Sequence, residues 1–191
     1  MSSSSSRLTT RRGRLEDIEQ IMHIVRAVVP TMESVGNFQW GSNNAAGVFY
    51  PNEESFAQDF RDGTLWVVED ELSADGGGPS VVGVAALTVD QPEEYGAAGL
   101  DLNTPSVVPH RLAVHPAMQG RGVARMLYNK AELMAKECGW DRVRVDTCTI
   151  NVPMNKLIQS LGYKRYGEFT FPGKADGLRF VAYEKVLSPA G

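Results

Sequence analysis

From Leu15 onward, the apolar residues Ile18, Ile21, Met22, Val25, Val28, Val29 and Met32 recur three or four positions apart. That period predicts an amphipathic helix, and Pro30 within it predicts a kink or an end. Leu8 to Arg12 reads as a short strand ahead of it. The stretch from Gly36 to Pro51 is polar and Gly/Asn-rich, yet carries Phe38, Trp40, Phe49 and Tyr50. A short helix is predicted over 53–61. The runs 64–70 and 81–89 predict paired strands, joined by the turn-rich segment 73–80. Residues 92–105 read as irregular.

A further strand is predicted over 107–114 and a helix over 122–138, with Val123, Leu127, Ala131, Met134 and Cys138 on one face. Arg142 to Asp146 predicts a strand. Met154, Leu157, Ile158 and Leu161 mark another helix, with Asn151 as its N-cap, Pro153 in its first turn and Gly162 after its end. Two last strands are predicted over 163–171 and 178–186. Helices and strands interleave without an internal repeat, which predicts an α/β (α+β) domain with a mixed sheet of six to seven strands flanked by about four helices.

Composition narrows the function class. The 191 residues fit one domain over 7–191, preceded by a polar Ser-rich tail at 1–6 that reads as disordered. With 19 basic against 23 acidic side chains the net charge is −4, which gives no general affinity for nucleic acid. Any anion site must be made locally. Two cysteines, Cys138 and Cys148, read as free thiols of a reducing compartment. With no apolar run of membrane-spanning length and no signal-peptide pattern, the expected location is the cytoplasm, away from membranes. No set of metal ligands is predicted.

The chemistry concentrates between Val114 and Arg125. A strand ends at His115-Pro116, and Gln119-Gly-Arg-Gly-Val-Ala124 leads directly into a helix. Glycines at a helix mouth let a ligand reach bare backbone N–H groups, and the helix dipole with Arg121 and Arg125 favours an anion. This predicts a phosphate or pyrophosphate cradle over Gln119, Gly120, Arg121, Gly122, Val123, Ala124 and Arg125. No Gly-x-x-x-x-Gly-Lys-Ser/Thr sequence is present, and no Gly-x-Gly-x-x-Gly with a downstream acid, so a nucleotide-binding domain of those types is disfavoured.

Together with the later run Asn151-Val-Pro-Met-Asn-Lys-Leu157 and Leu161-Gly-Tyr163, these residues resemble the GNAT superfamily of acyl-CoA-dependent N-acetyltransferases. The family pattern Q/R-x-x-G-x-G/A is matched by Gln119, Gly122 and Ala124. The pattern N-x-x-A-x-x-L-Y-x-x-x-G-F/Y is matched by Asn151, Leu157, Gly162 and Tyr163, with Met154 in place of alanine. The resemblance is strongest from Val107 to Tyr163. The pairs Gln39-Trp40 and Tyr50-Pro51, with residues 110–114, 145–147 and 182–185, are similar to a bacterial branch of the family whose substrates are mostly unassigned.

The resemblance implies acetyl-CoA as cofactor, its pantetheine lying along Leu112, Ala113 and Val114, with Asn151 and Asn155 contributing further cofactor contacts. It implies direct attack by the amine of a small molecule or peptide, an oxyanion held by backbone N–H groups, and a tyrosine that protonates the leaving thiolate. Ile158 stands where that tyrosine belongs, leaving Tyr163 and Tyr166 as substitutes, or a thiolate that leaves unaided. A non-catalytic acyl-CoA-binding domain is the alternative.

For the base, His110 comes first, because its pKa range suits proton acceptance near neutrality. Alternation puts it on the face of Leu112 and Val114, where a packed structural histidine would also sit. Asp146 is the second candidate; a carboxylate that merely holds the loop to Asn151 reads the same way. Trp40, Tyr50 and Trp66 are the candidate walls of the acceptor site, though core-anchoring aromatics would give the same sequence. A homodimer is possible.

Overall fold

The structure is a computed structural model that describes residues 7–42, 46–71 and 80–188. The Ser-rich tail and most of the 73–80 linker lie outside the described residues. Among the described residues, seven strands and five α-helices follow one another as β1 (Leu8–Arg12), α1 (Ile18–Glu33), α2 (Glu53–Arg61), β2 (Leu65–Asp70), β3 (Ser80–Thr88), α3 (Glu94–Ala97), β4 (Val108–Val114), α4 (Val123–Glu137), β5 (Arg142–Cys148), α5 (Val152–Ser160), β6 (Lys164–Phe169) and β7 (Phe180–Val186). The strands form two antiparallel sheets, β1-β2-β3-β4 and β5-β7-β6.

The sheets meet at one parallel bridge, Val107 to Val143, where the Val107 N–H donates to Arg142 and the Arg144 N–H donates to Val107. Beyond it β4 and β5 splay apart, leaving one edge of β4 without a strand partner among the described residues. Each side of the sheets carries its own core. On one side α4 and α5 cover Val68, Val82, Leu87, Val107, Val143 and Val145. On the other, α1 and α2 cover Val67, Val84 and Ala113. A third cluster gathers Tyr95, Val108, Cys148, Phe169, Phe180 and Ala182 under α3.

Most predicted elements fall within two residues of the observed ones, and three differ. Pro30 sits inside α1, which runs on to Glu33. The stretch read as irregular before β4 holds α3, whose Tyr95 is fully buried. The buried stripe of α4 uses Tyr128 and Ala135, while Cys138 is exposed.

Two contacts set the geometry of the cleft. Gly83 on β3 lies under the start of α4, and a Cβ there would come within 2.4 Å of the Val123 Cγ1. Only hydrogen allows the helix N-terminus to sit this low against the sheet. Arg11 grips Asp17 with two hydrogen bonds, of 2.7 and 3.0 Å, and also holds Glu69 at 2.6 Å, fixing the entry to α1. Burial alone would raise the Asp17 pKa, but Arg11 and the Arg14 backbone N–H outweigh it and hold the carboxyl below its ordinary range.

Gly83→Ala is therefore expected to lower stability by about 1–3 kcal/mol through overpacking. Urea unfolding measures this; a variant as stable as wild type would show that α4 can lift without cost.

Candidate active site

The segment after β4 has the shape its sequence predicts. The His115 imidazole accepts the Ala117 N–H and starts a single 3-10 turn, Pro116–Met118. Gly120 and Gly122 then take φ of 76° and 84°, in the left-handed region that side chains adopt only with strain. A Cβ at either would meet nothing within 4 Å, so the glycines serve the backbone turn and leave it uncovered. The N–H groups of Val123, Ala124 and Arg125 open α4 and have no intrahelical acceptor. With exposed Arg121 and Arg125 beside them they fit a pyrophosphate.

The adjacent edge of β4 is bare from Val108 to Val114, so alternate N–H and C=O groups of Leu112 to Val114 can pair with an extended ligand. This is the second feature that fits a pantetheine arm. Asn151 and Asn155 are differently employed. Asn151 accepts the Met154 N–H and donates to Thr147. The Asn155 amide donates to the carbonyls of Cys148, Thr149 and Asn151, and its Oδ1 accepts the Tyr183 hydroxyl at 2.6 Å. Both brace the β5–α5 connection rather than turning a free donor toward a ligand.

Inside β4 the alternation breaks. Ala113 pairs with Val84 but His110 pairs with Ala86, so β4 carries one residue more than β3 over this span. Arg111 absorbs it with φ +50°. As a result, Val108 and His110 share a face with Ala113, while Leu112 and Val114 pack on the α4 side. The expectation that His110 shares the face of Leu112 and Val114 is thus corrected, and the cause is the bulge. The Arg111 guanidinium grips Asp59 of α2 with two hydrogen bonds, one of 2.7 Å, and reaches the Tyr50 hydroxyl at 3.4 Å.

Burial and the neighbouring Arg111 charge push the His110 pKa down to about 4, against a weaker pull upward from Asp90. His110 is therefore neutral near pH 7 and a weak base. Asp146 on β5 is the better-tuned group. Burial, with some help from Glu94, raises its carboxyl to about 6, while the Tyr95 hydroxyl, donating to Oδ1 at 2.8 Å, and the Lys174 charge pull it down. Lys174 comes from the β6–β7 turn. Its ammonium sits 4.1 Å from the centre of the Tyr50 ring and donates to the Gln39 carbonyl at 3.1 Å. The Gln39 side chain accepts the Cys148 N–H, tying the 36–51 loop to the end of β5.

Of the predicted aromatic walls, only Tyr50 is in this cluster. Trp40 is 9% exposed within the α1 core and anchors the loop. Trp66 packs on the α4 side, its ring between Arg12 and Lys130 at 4.4 and 4.5 Å, on the opposite face from the Arg111–Asp59 pair. Tyr163 donates to Glu132, and Tyr166 to Glu184, so neither hydroxyl is free. Ile158 is fully buried in the core. Arg111, Asp59, Tyr95 and Lys174 were missed by sequence reasoning, and so was Tyr128, whose hydroxyl bonds the Met154 sulfur at 3.6 Å.

Residues 32–163 match the family model described as Acetyltransferase (GNAT) family. The chain belongs to the GNAT acetyltransferases. An acetyltransferase of that family from Streptococcus agalactiae is similar over 95% of this chain and 96% of its own, at 26% identity and a TM-score of 0.75. YncA of Salmonella typhimurium, solved with its cofactor acetyl-CoA, shares 19% identity over 97% of each chain, with a TM-score of 0.65. A polyamine N-acetyltransferase of Drosophila melanogaster, which forms N-acetylagmatine, shares 15% over 95% of this chain and 100% of its own, with a TM-score of 0.66. No curated protein matches.

As a GNAT enzyme the protein is an acyltransferase that uses acetyl-CoA. No helix among the described residues is long and apolar enough to cross a membrane.

Asp59→Asn would leave the Arg111 guanidinium facing a neutral amide at the bulge. The expected cost is about 3 kcal/mol, at the low end for a broken buried pair because the Arg111 side chain keeps 20% exposure. Chemical denaturation reads this, and an Asp59→Asn/Arg111→Met double variant should lose less than the sum of the single changes. Strict additivity would show that the pair does not stabilise the bulge.

Proposed function

We propose that the enzyme moves the acetyl group of acetyl-CoA onto a primary amine of a small molecule or peptide, with Asp146 as the general base. One observation carries the assignment: a carboxylate raised to about 6 and oriented by the Tyr95 hydroxyl, on the strand that diverges from β4 where the cofactor edge begins. When bound, acetyl-CoA supplies an activated thioester whose thiolate is a good leaving group. The amine, protonated in water, must lose a proton before attack, and a base with a pKa near 6 is ionised at neutral pH yet still takes a proton readily. His110 suits this less, because burial beside Arg111 keeps it neutral but weakly basic.

The cofactor is held in this reading by the bare edge of Leu112, Ala113 and Val114, and by the N–H groups over Gly120 to Arg125, with Gln119 and Arg121 at the rim. Tyr50 forms one wall of the acceptor site. Tyr95 is a positioning residue that holds Asp146 and restrains its pKa. An intact carboxylate–tyrosine pair in the cleft supports turnover over a domain that only binds acyl-CoA.

The pH dependence has a definite sign. Asp146 must be ionised to accept a proton, so kcat/KM rises with pH through an apparent pKa near 6. Asp146→Asn should lower kcat about 10²–10⁴-fold and abolish that limb, while acetyl-CoA affinity stays within a few-fold. His110→Ala should keep the limb in place. Stopped assays of CoA release across pH 5–9 measure all three, and an unchanged limb in Asp146→Asn would remove Asp146 from the mechanism.

A further inference from the structure

Among the charged groups around Asp146 and Arg111 the pairing is uneven. Arg111 and Asp59 neutralise each other through two hydrogen bonds. Asp146 is bonded by a neutral hydroxyl, that of Tyr95. Lys174 has the Tyr50 ring beneath it and one hydrogen bond, to the Gln39 carbonyl; among the described residues no carboxylate lies within ion-pair distance of it. An ammonium has three donors, so two of the three face no described acceptor. Half-burying such a cation is costly; the Asp146 charge offsets part of that cost from beyond ion-pair distance, and the nearby Arg111 adds repulsion.

Lys174 and Asp146 feel each other's fields but do not touch. Lys174 and Asp146 are therefore a cation and an anion that act on each other through space and are held by separate hydrogen bonds. The cation stands on the 36–51 loop, through Gln39 and Tyr50, and the anion on β5. A diamine would set its second ammonium against Lys174. A simple alkylamine would leave Lys174 as it is. A molecule with an amine and a carboxylate a few bonds apart satisfies both charges at once, its amine toward Asp146 and its carboxylate toward the ammonium.

We propose that the acceptor is a free amino acid, recognised through its carboxylate by Lys174, with Gln39 and Tyr50 holding that lysine in place. The proposal rests on the acetyltransferase reading with Asp146 as base. Lys174 touches the acceptor and takes no proton from it, so its effect belongs chiefly in KM; because its charge also lowers the Asp146 pKa, its removal should in addition move the pH limb upward.

The test uses the full-length enzyme with acetyl-CoA, and pairs each L-amino acid with its amino alcohol, which keeps a basic amine but replaces the carboxylate by a hydroxymethyl group. Wild type should favour at least one amino acid over its alcohol by tenfold or more in kcat/KM. Lys174→Met should remove that preference mainly by raising KM, and Lys174→Arg should restore part of it. Acetyl-CoA affinity and thermal unfolding of each variant show that it is folded.

Amino alcohols or diamines turned over as well as amino acids, or a preference that survives Lys174→Met, would overturn the proposal while leaving the acetyltransferase reading intact. No CoA release with any amine tested, despite acetyl-CoA binding, would overturn both.

Discussion

The bulge at Arg111 is the constraint on which the cleft depends. One extra residue in β4 reverses the facing of the strand at mid-length, so that a single chain segment serves two sides. Val108 and His110 look toward the acceptor side, and Leu112 and Val114 look toward α4. A non-glycine residue at φ +50° costs roughly 1–2 kcal/mol, and the side chain that incurs this cost also offsets it. The Arg111 guanidinium closes on Asp59 and reaches Tyr50. The cofactor edge of β4 and the acceptor wall are therefore parts of one strained joint.

The electrostatics of the cleft follow from what is buried next to what. Asp146 lies on the face of β5 that α3 covers, and α3 is held to β6 by the Gly167 N–H donating to Ala98 at 2.9 Å. That contact delivers the Tyr95 hydroxyl to the carboxylate. Burial pushes the Asp146 pKa up, while Tyr95 and Lys174 keep it from rising further, leaving it at about 6. His110 receives the opposite treatment: the same burial, with Arg111 alongside, depresses a base instead of raising an acid. The two groups thus exchange their usual order of pKa, the carboxyl rising to about 6 and the imidazole falling to about 4, and only the acid ends up useful near neutral pH.

Local signals were legible in the sequence because they act locally. Asn151 caps α5 through the Met154 N–H, as its spacing predicts, and Gly120 and Gly122 take the left-handed turns that only glycine adopts freely. The bulge was not legible. Its positive-φ residue is an arginine, stabilised by an aspartate in a different helix, so nothing within the strand announces it. The alternation rule then carried His110 to the wrong face. The role of Tyr95 was not legible because its helix is a single turn in a stretch that reads as irregular, buried only once β6 and β7 arrive. Lys174 lies between the last two predicted strands, and nothing local marks it, since its contacts with Gln39 and Tyr50 join segments far apart in the chain. Trp40 and Trp66 show the converse: aromatic character in a loop or strand is visible, but which face it fills is decided by the whole sheet.

Ile158 makes the chemistry of this cleft one-sided. On the α5 side the available hydroxyls are spent: Tyr163 on Glu132, Tyr183 on Asn155, and Tyr128 on the Met154 sulfur. Burial raises the Tyr128 and Tyr163 pKa values further, so neither parts readily with a proton. The ionisable groups tuned toward neutrality, Asp146 above all, stand on the acceptor side. On the proposed reading the enzyme therefore works by helping the nucleophile lose a proton rather than by supplying one to the leaving group. A thiol with an aqueous pKa near 8.5 permits that division, because its thiolate needs little help to depart. The amine cannot attack until it has lost its proton, so the nucleophile is where a catalytic group gains the most. The substitution at 158 and the arrangement around Asp146 are then two consequences of the same chemical asymmetry.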